Sequence, residues 1–290
     1  MKLNIKEHFF SKEHGISVSQ NLSFSESKKP LIMGILNLTP DSFFDGGSHN
    51  NINDILTHCE KMLTDGADII DIGAFSSRPG MEIISVEEEH NRLLPSLIEI
   101  KKHFPEATIS IDTFRKDVAE KAIDCGADII NDISGGTFDN EMLPFIGKNH
   151  IPYIMMHSGN SINSLHHEVI ENNICNEVKT FFERQVDNLM QYGEQNIILD
   201  PGIGFNKSIK ANFCLLKNIN DYRIKNLPVL IGISRKSLIY KTLKTTPQEA
   251  LNGTTVLNTI ALLNGTDILR VHDVKEAVET VSLVKEIMNE

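Results

Sequence analysis

The chain has few of the devices that announce a function at first sight. Its four cysteines, Cys59, Cys125, Cys175 and Cys214, are scattered without a C-x-x-C pair. That spacing signals neither a zinc site nor a disulfide framework, so reduced thiols are expected. No window of apolar residues approaches transmembrane length, and the opening MKLNIKEHFFSKEHG holds no uninterrupted apolar run of the kind a signal sequence needs. Positive charge is also short: Lys+Arg 28 against Asp+Glu 39 leaves a net charge of -11. This balance argues against nucleic acid or an anionic membrane as a partner, and any anionic substrate must meet a local cluster of bases. Two stretches stop short of nucleotide motifs. Asp200-Pro201-Gly202-Ile203-Gly204-Phe205 has G-x-G without the third glycine or the downstream acid, and Arg235-Lys236-Ser237 lacks the upstream glycine of a phosphate loop. His166-His167-Glu168 lacks the separated pair of a zinc protease helix and reads as the polar start of a helix running toward Tyr192. A soluble cytoplasmic protein is expected.

What is present is a rhythm. From Pro30 onward short β-branched runs alternate with longer helical patterns, the order that implies parallel strands with crossover helices. Eight strands are predicted: Leu31–Leu36, Ile69–Gly73, Thr108–Asp112, Ile129–Asp132, Tyr153–Met156, Asn196–Asp200, Val229–Ile233 and Ile268–His272. Thr246-Pro247-Gln248-Glu249 carries an N-cap, a proline at the first helical position and a glutamate three residues after the cap; Asp273-Val274-Lys275-Glu276 repeats the box without proline. Asp65-Gly66-Ala67-Asp68, Cys125-Gly126-Ala127-Asp128 and Asn264-Gly265-Thr266-Asp267 are near copies, each placing a glycine where a helix can end just before a strand. Repeated α/β units with no antiparallel excursion predict a single (β/α)₈ TIM barrel over residues 30–290, with residues 1–29 as a short N-terminal arm; the competing arrangement is a doubly wound sheet.

Polar residues fall where such a barrel would gather them. Asn37, Asp71, Asp112, Asn131, His157, Asp200, Lys236 and the pair Arg270/His272 all sit at or just past a strand's carboxyl end, which describes a concave polar site on one rim. Side chains alternate along a strand, so Arg270 and His272 share a face and can address one anion. The same pair could instead set Arg270 on a barrel carboxylate and His272 on the last helix. Asp112, Asn131 and Asp200 offer acceptors and a donor with no thiol or histidine cluster, which suits a metal or a flat heterocycle with several N–H groups; Lys236 would add a donor. The stretch MGILNLTPDSFFDGG, Met33 to Gly47, carries two phenylalanines on a polar loop with a glycine hinge, which suits a lid closing over a ligand.

Taken in order, these residues resemble the dihydropteroate synthase family, a family of pterin-binding (β/α)₈ barrels. The matching segments are Gly34 to Phe43 with Asp45-Gly46-Gly47, Asp71 to Gly80, Ile111-Asp112-Thr113, Ile130-Asn131-Asp132, Met155-Met156-His157, Leu199 to Phe205, Ser234-Arg235-Lys236-Ser237 and Arg270-Val271-His272-Asp273. The resemblance implies a transferase of folate biosynthesis that condenses 6-hydroxymethyl-7,8-dihydropterin diphosphate with p-aminobenzoate. It also implies Mg²⁺ and a homodimer. It assigns the pterin to Asp112, Asn131, Met156, Asp200 and Lys236, and the diphosphate to Asn37, Arg270 and His272, with Asn37 also at the metal. It assigns p-aminobenzoate to Phe43, Ser76, Ser77, Arg78, Pro79, Phe205, Lys236 and Ser237, and a catalytic part to Asp112, Lys236 and Asp41.

The chemistry fits an SN1-like route, because an arylamine is neutral near pH 7 and needs no strong base. Rate would come from stabilising the leaving diphosphate and the pterin-methyl cation while loops exclude water. One position departs from the family pattern: Ser77 stands where threonine is usual, which bears on aminobenzoate and its sulfonamide mimics. Two other readings stand beside the synthase. A methyltetrahydrofolate methyltransferase barrel would be expected to work with a cobalamin domain, for which this chain leaves no room but which could be a separate protein. The lid sequence and the Arg270/His272 pair favour the synthase. A non-catalytic pterin-binding barrel would need a broken diphosphate site, whereas Asn37, Arg270 and His272 are all present.

Overall fold

The computed structural model describes residues 29–38, 48–74, 84–159 and 170–288, with backbone only for 48–51. Within them the chain alternates strand and helix as the sequence predicts. The strands are β1 (Leu31–Asn37), β2 (Ile69–Gly73), β3 (Ile109–Asp112), β4 (Ile129–Asp132), β5 (Tyr153–Met156), β6 (Ile197–Asp200), β7 (Leu230–Ile231) and β8 (Ile268–Val271). The helices are α1 (Ser48–Thr64), α2 (Val86–His103), α3 (Lys116–Asp124), α4 (Met142–Asn149), α5 (Ile174–Met190), α6 (Ile209–Lys217), α7 (Ile219–Tyr222), α8 (Ser237–Leu243), α9 (Leu251–Leu263) and α10 (Val274–Met288).

All neighbouring strands pair in parallel, in the order β6-β5-β4-β3-β2-β1-β8-β7. The two ends of that order meet: Leu199 of β6 bridges Val229, and its N–H donates to Pro228 O at 2.8 Å. The sheet is therefore a closed barrel, not a doubly wound sheet. Its strands are apolar on both faces because both are covered. Leu31, Met33, Ile69, Ile129, Ile154, Ile198, Leu230 and Ile268 fill the lower interior as a cluster of their own. The alternate residues, such as Ile70, Ile72, Leu269 and Val271, join the larger core under the helices.

The internal repeat has a structural reason that exceeds its glycines. Gly66, Gly126 and Gly265 take φ of 102°, 96° and 94°, which ends each helix without a Cβ penalty. The aspartate two residues later then accepts an N–H of the neighbouring strand: Asp68 from Ile32 at 2.8 Å, Asp128 from Ile109 at 3.0 Å, and Asp267 from Val229 at 2.8 Å. One joint thus sets both the turn into a strand and that strand's alignment with the next.

Two predicted helix starts are corrected. Thr246–Glu249 forms a turn, and α9 begins later, at Leu251. Thr245 and Thr246 both donate to Glu249 Oε2, while Arg235 Nη1 takes Pro247 O at 3.2 Å and Gln248 O at 2.9 Å. Those carbonyls are consumed by a guanidinium before a helix can use them. The helix toward Tyr192 starts at Ile174 and ends at Met190, with Ile170 held in a bridge to Lys207. His166–Glu168 lie outside the described residues, as do most of the arm and the loop 39–47.

Candidate active site

Barrel closure gathers side chains that are far apart in sequence. Asp71, Asp112, Asn131 and Arg270 meet above the apolar lower layer. Arg270 donates from Nε to Asp71 Oδ2 at 2.6 Å and from Nη2 to Asp112 Oδ2 at 2.9 Å, and Asn131 Nδ2 donates to the same Asp71 oxygen at 3.0 Å. Asp71 is 0 % exposed, and its Oδ1 finds no hydrogen-bond partner among the described residues. Sequence reasoning placed Asp71 on the rim but gave it no role, yet it is the hub that orients both Asn131 and Arg270. Its signal was its position one residue before Ile72-Gly73 at a strand end.

Arg270 thus takes the second of the two arrangements open from sequence: its guanidinium rests on barrel carboxylates. Two carboxylates share one guanidinium, so the interior keeps excess negative charge. Burial pushes the Asp112 carboxyl up to about 7 against the pull of Arg270, with Asp71 and Glu89 adding to the rise. His272 follows β8, and its Nδ1 lies 3.0 Å from Ser234 Oγ. Asn37 ends β1, half-buried and paired in register with Gly73.

On the opposite wall Asp200 ends β6, buried, with Oδ1 accepting the Gly202 N–H at 2.7 Å. Burial raises its carboxyl above the usual range, opposed by Lys236. Lys236 donates to Ile203 O at 2.5 Å, and its ammonium stands 4.6 Å from the centre of the Phe205 ring. Loss of water pushes that ammonium down to about 8, with Asp200 pulling the other way. Ser237, next in sequence, opens α8. Met156 and Phe205 belong to a small apolar cluster with Phe114, Ile133 and Phe138 at the rim. Sequence reasoning missed the last three. Phe114 follows the Asp112-Thr113 pair directly, which was the available signal.

His157 is corrected. It stands just past β5 but is 4 % exposed, and its ring meets the edge of Phe181 of α5 at 5.0 Å. It serves the packing between barrel and helix. Burial holds its imidazole well below the ordinary histidine range, hence neutral.

Two braces hold the rim. Arg235, at φ 56°, pairs its Nε and Nη2 with Asp273 at 2.9 and 2.8 Å. Because Arg235 precedes Lys236 and Asp273 follows His272, one bidentate pair sets two neighbouring site residues. Lys207 is 8 % exposed and donates to His157 O at 3.2 Å, Gly202 O at 3.1 Å and Phe205 O at 3.1 Å. It ties the end of β5 to the loop after β6. A Cβ at Gly202 would lie 2.0 Å from His157 O, so that approach requires glycine. Asp41, Phe43, Ser76, Ser77, Arg78 and Pro79 lie outside the described residues.

The donor set also bears on Mg²⁺. Among the described residues no group of three or more His, Cys, Asp or Glu could hold a metal. A magnesium ion that keeps its waters and travels with a phosphate needs only one or two protein oxygens, and the Asn37 side chain at the end of β1 would offer one.

Residues 33–272 match the model of the pterin binding enzyme family. The Synechocystis dihydropteroate synthase is 40 % identical over 263 residues, covering 90 % of each chain. The Clostridium difficile dihydropteroate synthase, solved with pteroic acid, superposes with a TM-score of 0.84 at 36 % identity, covering 92 % of this chain and 100 % of that one. The Xanthomonas albilineans enzyme with 4-aminobenzoic acid gives a TM-score of 0.83 at 30 % identity, covering 90 % and 94 %. At this identity over this share of its length, and with its barrel closed around this polar ring, the chain belongs to the dihydropteroate synthase family.

Proposed function

We propose that the barrel condenses 6-hydroxymethyl-7,8-dihydropterin diphosphate with p-aminobenzoate, forming 7,8-dihydropteroate and releasing diphosphate. The observation that carries this reading is the gathering of half-buried Asp112 and buried Asn131 and Asp200 with Arg270 in the same barrel mouth. Asp200, anchored by one oxygen on the Gly202 amide, accepts ring N–H groups with the other. Asn131, held by Asp71, presents its amide in a fixed orientation, and Met156 with Phe114 and Ile133 forms the apolar wall beside a flat heterocycle. Lys236 donates to the ring, and its stem and Phe205 frame the aminobenzoate together with Ser237.

The leaving diphosphate is received by Arg270, His272 and Asn37. With Nε and Nη2 committed to carboxylates, Arg270 offers its remaining edge to a phosphate oxygen. A magnesium ion bound with the diphosphate at Asn37 would supply charge neutralisation of the leaving group. The Asp112 carboxylate, backed by buried Asp71, faces the methyl carbon as it loses the diphosphate and becomes cationic, and negative charge already held in place costs no reorganisation. The neutral arylamine then attacks. The loops carrying Asp41 and Phe43, and Ser76 to Pro79, close over the site and exclude the water that would otherwise capture the cation.

A homodimer is part of the same proposal. Val256, Ile260 and Leu263 recur along α9, and Leu283 and Ile287 along α10, as exposed large apolar side chains. The deciding experiment mixes purified protein with the dihydropterin diphosphate, p-aminobenzoate and Mg²⁺ and follows diphosphate and dihydropteroate together. Equal formation of both is expected. Pterin binding without either product would identify a binding barrel, and methyl transfer to a corrinoid protein would identify a methyltransferase.

A further inference from the structure

Two of the four cysteines, 39 residues apart in sequence, are brought together outside the barrel. Cys175 lies in the first turn of α5 and Cys214 in the middle of α6, with their Sγ atoms 3.9 Å apart. Cys59 is buried on α1 and Cys125 closes α3, so neither belongs to this pair. A disulfide needs a sulfur separation of roughly 2 Å, so the two side chains must turn toward each other from this distance.

We infer that Cys175 and Cys214 form an oxidisable dithiol site that takes a low-molecular-weight disulfide as its reactant. The two sulfurs have different surroundings, and these fix the order of events. Cys214 is exposed, so a small disulfide can reach its sulfur, which receives the Asn218 Nδ2 amide at 3.5 Å. Cys175 is half-buried. Burial and the neighbouring Cys214 sulfur push its thiol up to about 12, with Asp221 adding to the rise. Cys214 is therefore the attacking sulfur and Cys175 the resolving one.

The steps balance. The Cys214 thiolate attacks one sulfur of the small disulfide, forming a mixed disulfide and expelling one small thiolate, which takes up the proton Cys214 lost. Removing the Cys214 charge lowers the barrier to ionising Cys175. The Cys175 thiolate then attacks the Cys214 sulfur, the protein disulfide forms, and a second small thiol leaves with the second proton. The protein loses two protons and two electrons, and the small disulfide gains both.

The position gives the bond a consequence. Ile170, just before α5, donates its N–H to Asn206 O at 3.0 Å and accepts from Ser208 N at 3.2 Å. Ser208 caps α6, its hydroxyl accepting the Ala211 N–H at 3.1 Å. A bond from Cys175 to Cys214 thus links the two sides of the junction that ends the Asp200–Lys207 loop. Cross-linking over this sequence separation raises the midpoint of thermal unfolding by roughly 5–10 °C.

The test titrates the full chain with oxidised glutathione. The expected product is a protein lighter by two hydrogens, carrying no glutathione, whose peptides containing Cys175 and Cys214 are joined until dithiothreitol is added. C175S is expected to hold a stable glutathione adduct on Cys214, while its reduced form keeps the thermal midpoint of the reduced parent. A parent protein that keeps the Cys214 adduct as C175S does would overturn the inference. So would a parent in which both thiols stay free at glutathione levels that modify C175S.

Discussion

Replacing Lys207 by methionine keeps the volume and removes the ammonium. In the parent, that group is buried against three backbone carbonyls, and its neighbours are Asp200, Lys236 and Glu177. Burial brings its pKa from 10.5 down to about 7. An unfolded chain carries this lysine protonated up to the ordinary value, so between about 7 and 10.5 the unfolded state binds more protons than the native state. Stability contributed by this group therefore rises with pH across that window. Integrating the two titrations from pH 7.5 to 9.5 gives a gain of about 2.5 kcal/mol for the parent relative to Lys207→Met. Urea denaturation of both proteins at several pH values measures it, because the difference cancels titrations they share. The methionine also leaves the three carbonyls without their donor, so the loop carrying Phe205 loosens and KM for p-aminobenzoate rises about tenfold, roughly the worth of one hydrogen bond. A parent-minus-variant stability that stays flat over this pH range would refute the reading that burial lowers the Lys207 pKa to about 7.

Further outcomes follow from the same geometry. Asp200→Asn replaces one acceptor by a donor, and pterin affinity measured by calorimetry should fall roughly tenfold to a hundredfold; unchanged binding would remove this residue from the site. Asp71→Asn leaves Arg270 with Asp112 alone inside the barrel, and unfolding free energy should drop by about 3 kcal/mol, the lower end for a broken buried pair. A loss below about 1 kcal/mol in urea titration would show that Asp71 is not the hub described. Ser77→Thr restores one methyl at the aminobenzoate loop, worth ~0.8 kcal/mol when buried, and should shift the ratio of sulfonamide inhibition constant to aminobenzoate KM about fourfold. An unchanged ratio would sink that expectation.

The sequence by itself determined the alternation of strand and helix and the address of the chemistry. Eight short apolar runs separated by helical patterns, with no antiparallel excursion and the same glycine joint used three times, favour a barrel over a doubly wound sheet, and the closure between Leu199 and Val229 decides it. Polar residues at strand ends were legible because the strand period and the end of each run place them without knowledge of distant contacts. What the sequence could not show depends on pairs formed across the barrel. Asn131 and Asp71 are 60 residues apart, Arg270 and Asp112 are 158, and Arg270 and Asp71 are 199. Only closure between Leu199 and Val229 sets these distances, and only those distances make Asp71 a hub instead of one more rim carboxylate. The same dependence on tertiary contact turned His157 onto Phe181 and delayed α9 to Leu251, where Arg235 had taken the carbonyls of the preceding turn. Local pattern specifies which residues reach the mouth of the barrel; long-range hydrogen bonds and charge pairs decide which way each one faces once there.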